Sequence, residues 1–243
     1  MRVKAVIAYD GSSFEGFQRQ KRTKNTITTA IEEALNSLGV TSKITGSGRT
    51  DAKVHATGQV IHFDLPLFWE NQSLLKLQTH LNKKLAKIEF KSIEKSSLDF
   101  HARFSAKRRR YRYIFKLKKP NLFERDYISF LEIKDLEKFK KALNFFQGTH
   151  DFGMLSKKSE TKSTIRKIFK TVLRRKKDYY FVYIEGDGFL RAQIRAMIGL
   201  AVEFANSKIT EEEFLLQLQN KKRVTTSLVE PNGLYLAKVF YQE

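Results

Sequence analysis

The chain has 243 residues, no cysteine, and 46 lysines and arginines against 26 aspartates and glutamates, a formal charge of +20. Disulfides and thiol chemistry are excluded, a reducing cytoplasm is the expected compartment, and the cationic excess calls for a polyanionic partner, nucleic acid first. No apolar run of membrane-spanning length and no signal peptide is present, so no membrane partner is expected, and a 41% hydrophobic share supplies a core that a disordered basic tail lacks.

In chain order, residues 2–9 alternate and predict a strand. Ile27, Ile31, Ala34, Leu35 and Leu38 recur at helical spacing, with Gly39 as the stop. Strands are predicted near 40–46 and 58–64, with a glycine-rich loop between them. Leu74, Leu77, Leu81 and Leu85 mark a second helix, and 88–93 a further strand. The order β-α-β-β-α-β is that of a ferredoxin-like unit. The second half repeats it. Tyr111, Tyr113, Phe115 and Leu117 share one face of a strand, and Leu136, Phe139, Leu143 and Phe146 one face of a helix. Strands near 165–175 and 179–185 turn at Lys177-Asp178, and Ile194, Met197, Ile198, Ala201 and Val202 form a buried helical face. Thr210 to Glu213 reads as a capping box opening a short extra helix, and 234–241 closes as a strand. With no Pro/Gly/Ser linker, the expected fold is α+β. Two ferredoxin-like halves, 1–105 and 106–243, join into one mainly antiparallel sheet with helices on one face.

The loop from Gly46 to Ala56 holds the sharpest chemical signal. It carries one carboxylate, Asp51, with Arg49 and His55 beside it, among small residues that let the backbone turn tightly. It is no phosphate cradle. A P-loop needs Gly-Lys-Ser/Thr where Gly48-Arg49-Thr50 stands, and a dinucleotide turn needs a third glycine where Asp51 stands. The loop also leads into a strand, whereas both phosphate motifs lead into a helix. An isolated aspartate of this kind is either a turn former or a displayed catalytic group. The five histidines are scattered, with no pair at helical i, i+4 spacing and no thiolates to join them, which argues against a metal site.

Charge is clustered as well. Lys107, Arg108, Arg109, Arg110 and Arg112 surround Tyr111, the interleaving of cation and aromatic that suits phosphates and stacked bases. Arg195 lies one turn after Arg191 on an otherwise apolar helix. Either its stem packs while its head reaches water, or it is a buried partner that keeps a carboxylate ionised.

These residues closely resemble the TruA family of tRNA pseudouridine synthases, whose signature runs G-R-T-D-A-G-V-H-A/G. Further matches follow in order along nearly the whole chain: Tyr9-Asp10-Gly11 with Gly16-Phe17-Gln18-Arg19-Gln20, Gly58 to Phe63, Phe100 to Ala106, Arg110 to Tyr113, Gly148 to Phe152, Gly188 through Arg195, and Gly233 to Leu236. The resemblance implies two ferredoxin-like halves and isomerisation of uridine to pseudouridine in the anticodon stem-loop, at tRNA positions 38–40. It implies Asp51 as the catalytic aspartate, and Tyr111 as the aromatic against the target base. Arg195 would be the cation paired with the aspartate, and Arg49 would help displace the base; His55, beside Asp51 in the loop, is expected in the substrate site on its position alone. Lys107, Arg108, Arg109, Arg110 and Arg112 would face the RNA backbone. No cofactor or metal is implied, and a homodimer is. Four positions depart from the pattern: Lys53 replaces the glycine usual after Asp-Ala, Gln193-Ile194 precedes Arg195 in place of methionine-valine, and Asp187 stands for a common asparagine. A synthase acting on another RNA and a silent RNA-binding module are the competing readings.

Overall fold

Strand β1, Arg2–Tyr9, buries Val3, Ala5, Ile7 and Tyr9 and leaves the residues between them half-exposed, the alternation its sequence predicts. It lies in the first of two units of the computed structural model, which describes residues 1–157 and 163–242. The units are Met1–Lys107 with Tyr235–Glu243, and Arg108–Leu234.

In the first unit β1 is followed by helix α1 (Ile27–Asn36), β2 (Thr45–Gly46), β3 (His55–Asp64), α2 (Leu74–Lys84) and β4 (Ile88–Lys95). Thr26 caps α1 through its hydroxyl, which accepts the Thr29 N–H, and Ile27, Ile31, Ala34 and Leu35 form its buried face. β1 pairs antiparallel with β3 on one side and β4 on the other, and β2 pairs antiparallel with β3. That is the ferredoxin-like arrangement the element order predicts. The strand expected over 40–46 shrinks to two residues. The Ile44 N–H is taken by the Glu32 carboxylate of α1 at 2.9 Å, which draws this stretch off the sheet.

β3 is buried along nearly its whole length, polar residues included, so His62 needs an internal partner. Its Nδ1 accepts the Ala102 N–H at 3.1 Å, and its ring lies 4.9 Å from that of His101. Burial, then the charges of Arg2 and His101, lower its pKa to about 4. An unfolded histidine titrates near ~6.5. The stability contributed by neutral His62 is therefore complete above that pH and is lost as pH falls towards about 4. His62→Asn keeps an acceptor for the Ala102 amide but does not titrate. Melting temperatures measured between those pH values should fall more steeply for the wild type than for the variant. Parallel curves for the two proteins would contradict this assignment.

The second unit contains β5 (Arg108–Lys116), β6 (Ser129–Phe130), α3 (Leu136–Phe145), β7 (Gly148–Asp151), β8 (Ile165–Lys176), β9 (Tyr179–Gly186), α4 (Gln193–Ala205) and α5 (Glu211–Leu218). Its strands run β5-β9-β8-β7, each pair antiparallel, with β6 parallel to the end of β5. Phe115 of β5 stacks on Tyr180 of β9 and meets Phe139 of α3 edge-on, which joins sheet and helix in one core. The β8–β9 hairpin turns at Lys177-Asp178 as predicted, and Thr210 and Glu213 form the reciprocal capping box.

The remaining strand, β10 (Leu234–Phe240), runs parallel beside the start of β3, with Tyr235 opposite His55 and Leu236 opposite Ala56. The division expected at 105/106 thus differs from the observed units in one main respect. Residues from Tyr235 onward go with the first unit, because β2 covers only Ile61 and His62 of this edge of β3 and leaves its beginning open. The α+β class and the duplicated β-α-β-β-α-β order stand. No helix among the described residues is long and apolar enough to cross a membrane.

Candidate active site

The Asp51 loop is fixed by partners distant in sequence. Thr50 is buried, and its hydroxyl hydrogen-bonds the Tyr9 hydroxyl of β1 at 2.8 Å, while its carbonyl accepts the Phe17 N–H at 3.1 Å. The residue before Asp51 is therefore held at both side chain and backbone. Gly16, at φ +118°, permits this approach: a Cβ there would lie 3.1 Å from the Thr50 carbonyl oxygen. On the loop's other limb, Ser47 donates to Gln59 Oε1 at 2.6 Å, and Gln59 Nε2 donates to the Gly48 carbonyl at 2.9 Å. Asp51 itself is half-exposed, and Arg49 is exposed. A carboxylate held in this way keeps its position without a large ordering cost when a ligand arrives, which suits a nucleophile or base.

The chain then turns back. The Val54 N–H donates to the Asp51 carbonyl at 3.2 Å, and the Lys53 N–H to the Phe14 carbonyl at 3.3 Å. Lys53 occupies the third position of this turn with φ +63°. A side chain there costs about 1–2 kcal/mol relative to glycine.

His55 lies deeper than the sequence suggests. It is 1% exposed, its Nδ1 accepts the Gly11 N–H at 3.0 Å, and its ring stacks on Tyr235 at 4.7 Å. This geometry ties the end of the loop, through His55, to β1's exit and to β10. The anchoring residues Tyr9, Thr50 and Gln59 carry no chemical signal of their own in the sequence, although all three fall in segments that match the family pattern.

In the second unit, Tyr111 sits on β5 opposite Ile184 of β9, 7% exposed, with the Phe189 ring edge-on at 5.2 Å. It shares its strand face with the core residues Tyr113 and Phe115, so its ring is held by packing. Arg195 is half-buried on α4. Its Nε donates to the Val229 carbonyl at 2.7 Å, and the Val229 N–H returns to the Arg195 carbonyl at 3.4 Å. That contact fixes the base of the guanidinium.

The basic run is not uniformly available to solvent anions. Arg108, Arg110 and Arg112 share one face of β5, and buried Glu185 of β9 accepts from Arg108 Nη1 at 2.9 Å and from Arg110 Nε at 2.8 Å. Arg109 points to the other face and donates to the Asp187 carbonyl at 2.8 Å. Lys107, at the end of the first unit, is exposed, and its backbone N–H donates to the Phe240 carbonyl. Two guanidinia thus share one carboxylate, so the cluster presents less net charge than its composition implies. Among the described residues no group of three or more His, Asp or Glu side chains gathers as a metal site would require.

A family model described as tRNA pseudouridine synthase matches residues 5–105 and 142–242. The first matched segment holds the Asp51 loop and the second Arg195, while the basic run and Tyr111 fall between them. The chain is 41% identical to the tRNA pseudouridine synthase A of Helicobacter hepaticus, over 98% of either chain. It is 38% identical to the proteins of the same name from Phytoplasma mali and Helicobacter pylori, again over 98% of either chain. Likeness of this extent, running through the loop and its anchors, places the chain in the tRNA pseudouridine synthase A (TruA) family of isomerases.

Proposed function

We propose that this tRNA pseudouridine synthase acts on uridines in the anticodon stem-loop, at positions 38–40, with Asp51 as its catalytic carboxylate. The observation that carries the site assignment is the half-exposed Asp51 in a loop whose flanking residues are tied to β1, to the segment at 14–17 and to β3. In the reaction the bond from C1′ to N1 breaks, the uracil turns while held, and C1′ joins C5. The C5 proton leaves and N1 gains one, so atoms balance with no redox or hydrolytic step and no cofactor or metal is called for. Asp51 supplies the oxygen that starts the exchange. Arg195 is the guanidinium that the family resemblance assigns to the reaction, Tyr111 packs on the uracil and keeps water from the broken bond, and Arg49 aids displacement of the base from its stack. His55 positions the loop. Lys107, Arg109 and Arg112, with the Glu185-paired Arg108 and Arg110, line the path of the RNA backbone.

Pseudouridine mapping of RNA from cells lacking this protein tests the reading. Loss of the modification at 38–40 supports it, and loss elsewhere with the anticodon arm unchanged overturns the choice of position. The protein is further proposed to work in the cytoplasm as a homodimer, since one subunit of ~20 Å radius covers less surface than an RNA arm spans. Light scattering that finds a fully active monomer at micromolar concentration refutes the dimer.

For Tyr111, replacement by Phe should leave tRNA binding intact, while Ala should weaken it by about 1–3 kcal/mol of lost stacking. Binding isotherms and melting curves of both variants check this. A core role alone would lower only the melting temperature of the Ala variant and spare its affinity.

A further inference from the structure

Five non-glycine residues among those described have positive φ: Lys53, Lys177, Ala192, Ser207 and Asn220. Lys177 turns the β8–β9 hairpin, and Ser207 and Asn220 follow the C-caps of α4 and α5, where a left-handed residue commonly ends a helix. Ala192 is the N-cap of α4, and Lys53 takes the third position of the Asp51–Val54 turn, a place that favours glycine. It lies inside the loop that presents Asp51, two residues beyond it, and its side chain is exposed. No hydrogen bond or ion pair with a described residue engages its ammonium group. The fold gains nothing from this side chain and would accept glycine with less strain. A side chain kept in a strained turn beside Asp51, with its ammonium exposed, is placed to meet a ligand.

We propose that Lys53 is a phosphate contact, its ammonium engaging the RNA backbone next to the nucleotide presented to Asp51. The proposal rests on the reading of Asp51 as the catalytic carboxylate. The chemistry fits. Lysine is a compact charge on a flexible stem, able to follow a phosphate that shifts as a base leaves its stack, where arginine's rigid fork would demand one geometry. Its placement beside the carboxylate also offsets the repulsion between Asp51 and the incoming phosphates.

The test compares Lys53→Gly, Lys53→Gln and Lys53→Arg with the wild type by thermal melting, by tRNA binding across a salt series, and by steady-state pseudouridine formation. Lys53→Gly is expected to melt about 2–4 °C higher, as strain is relieved. It should bind tRNA about three- to tenfold more weakly, with a log–log salt slope shallower by about 0.7–0.9, the signature of one phosphate contact removed. The loss should appear in KM rather than kcat. Lys53→Gln should show the same binding loss without the gain in melting temperature, and Lys53→Arg should keep most of the affinity. Wild-type affinity and slope in the Gly and Gln variants overturn the proposal, as does a fall in kcat at unchanged KM, which would make Lys53 a determinant of loop geometry. A wild-type protein that neither binds nor modifies tRNA overturns the reading of the site itself, and this inference with it.

Discussion

Asp51→Asn is expected to fold, to bind tRNA with nearly unchanged affinity, and to form pseudouridine at least about 10³-fold more slowly than the wild type. The substitution preserves shape, and the loop is tethered through Thr50, Lys53, Val54 and Gln59. What disappears is charge and nucleophilicity. Asp51→Glu should fare little better, because one extra methylene displaces the carboxylate by about an ångström in a loop that cannot yield, and such an error costs about 100-fold. Tritium release from C5-labelled tRNA measures both. A turn-forming aspartate gives the opposite pattern: lower stability, weaker binding, and activity in proportion to the folded fraction. Substantial turnover by a well-folded Asp51→Asn protein would falsify the catalytic assignment.

The second large effect is expected at Gly11, far from Asp51 in sequence. A Cβ at this position would lie 2.1 Å from the Val54 carbonyl oxygen and 2.6 Å from its carbon. Neither backbone has room to retreat, since Gly11 donates to His55 Nδ1 and Val54 closes the turn on Asp51. Gly11→Ala should therefore lower stability by about 3 kcal/mol, at the upper end for overpacking. It should also reduce the activity of the molecules that do fold, because the turn after Asp51 must shift. Urea midpoints and kcat of the purified variant check the two parts separately. A variant with the wild-type midpoint and full activity would show that the close approach at Gly11 has no bearing on the loop.

The fold was readable where one periodicity ran without interruption. Alternation in β1 and helical spacing in α1 gave the right elements because each buries one face against its own unit. The strand expected over 40–46 failed on a contact that periodicity does not register, the Glu32 carboxylate on the Ile44 amide. β7 was missed because Gly148-Thr149-His150-Asp151 has the composition of a loop and pairs only with β8. At the candidate site, the residue types marked Asp51, Arg49, Tyr111 and Arg195. The partners that hold the loop did not show, since Tyr9 and Thr50 are 41 positions apart. Nor did charge composition reveal that Glu185 would engage Arg108 and Arg110, 77 and 75 positions away. Nor does proximity in sequence register that His55 is buried against the Gly11 amide and the Tyr235 ring.

The position of β10 has a consequence for synthesis of the protein. Ribosomes deliver His55 about 180 residues before the Tyr235 ring on which it stacks. At 5–20 residues per second that interval is roughly 9–36 s. Through that time the beginning of β3 is an unpaired sheet edge, the kind of surface on which nascent chains associate wrongly. Tyr235 and Leu236 then close it together with the aromatic stack behind the Asp51 loop. Folding of this loop's support is thereby coupled to the end of translation: a chain released before residue 235 lacks both the strand that pairs with the start of β3 and the ring on which His55 stacks.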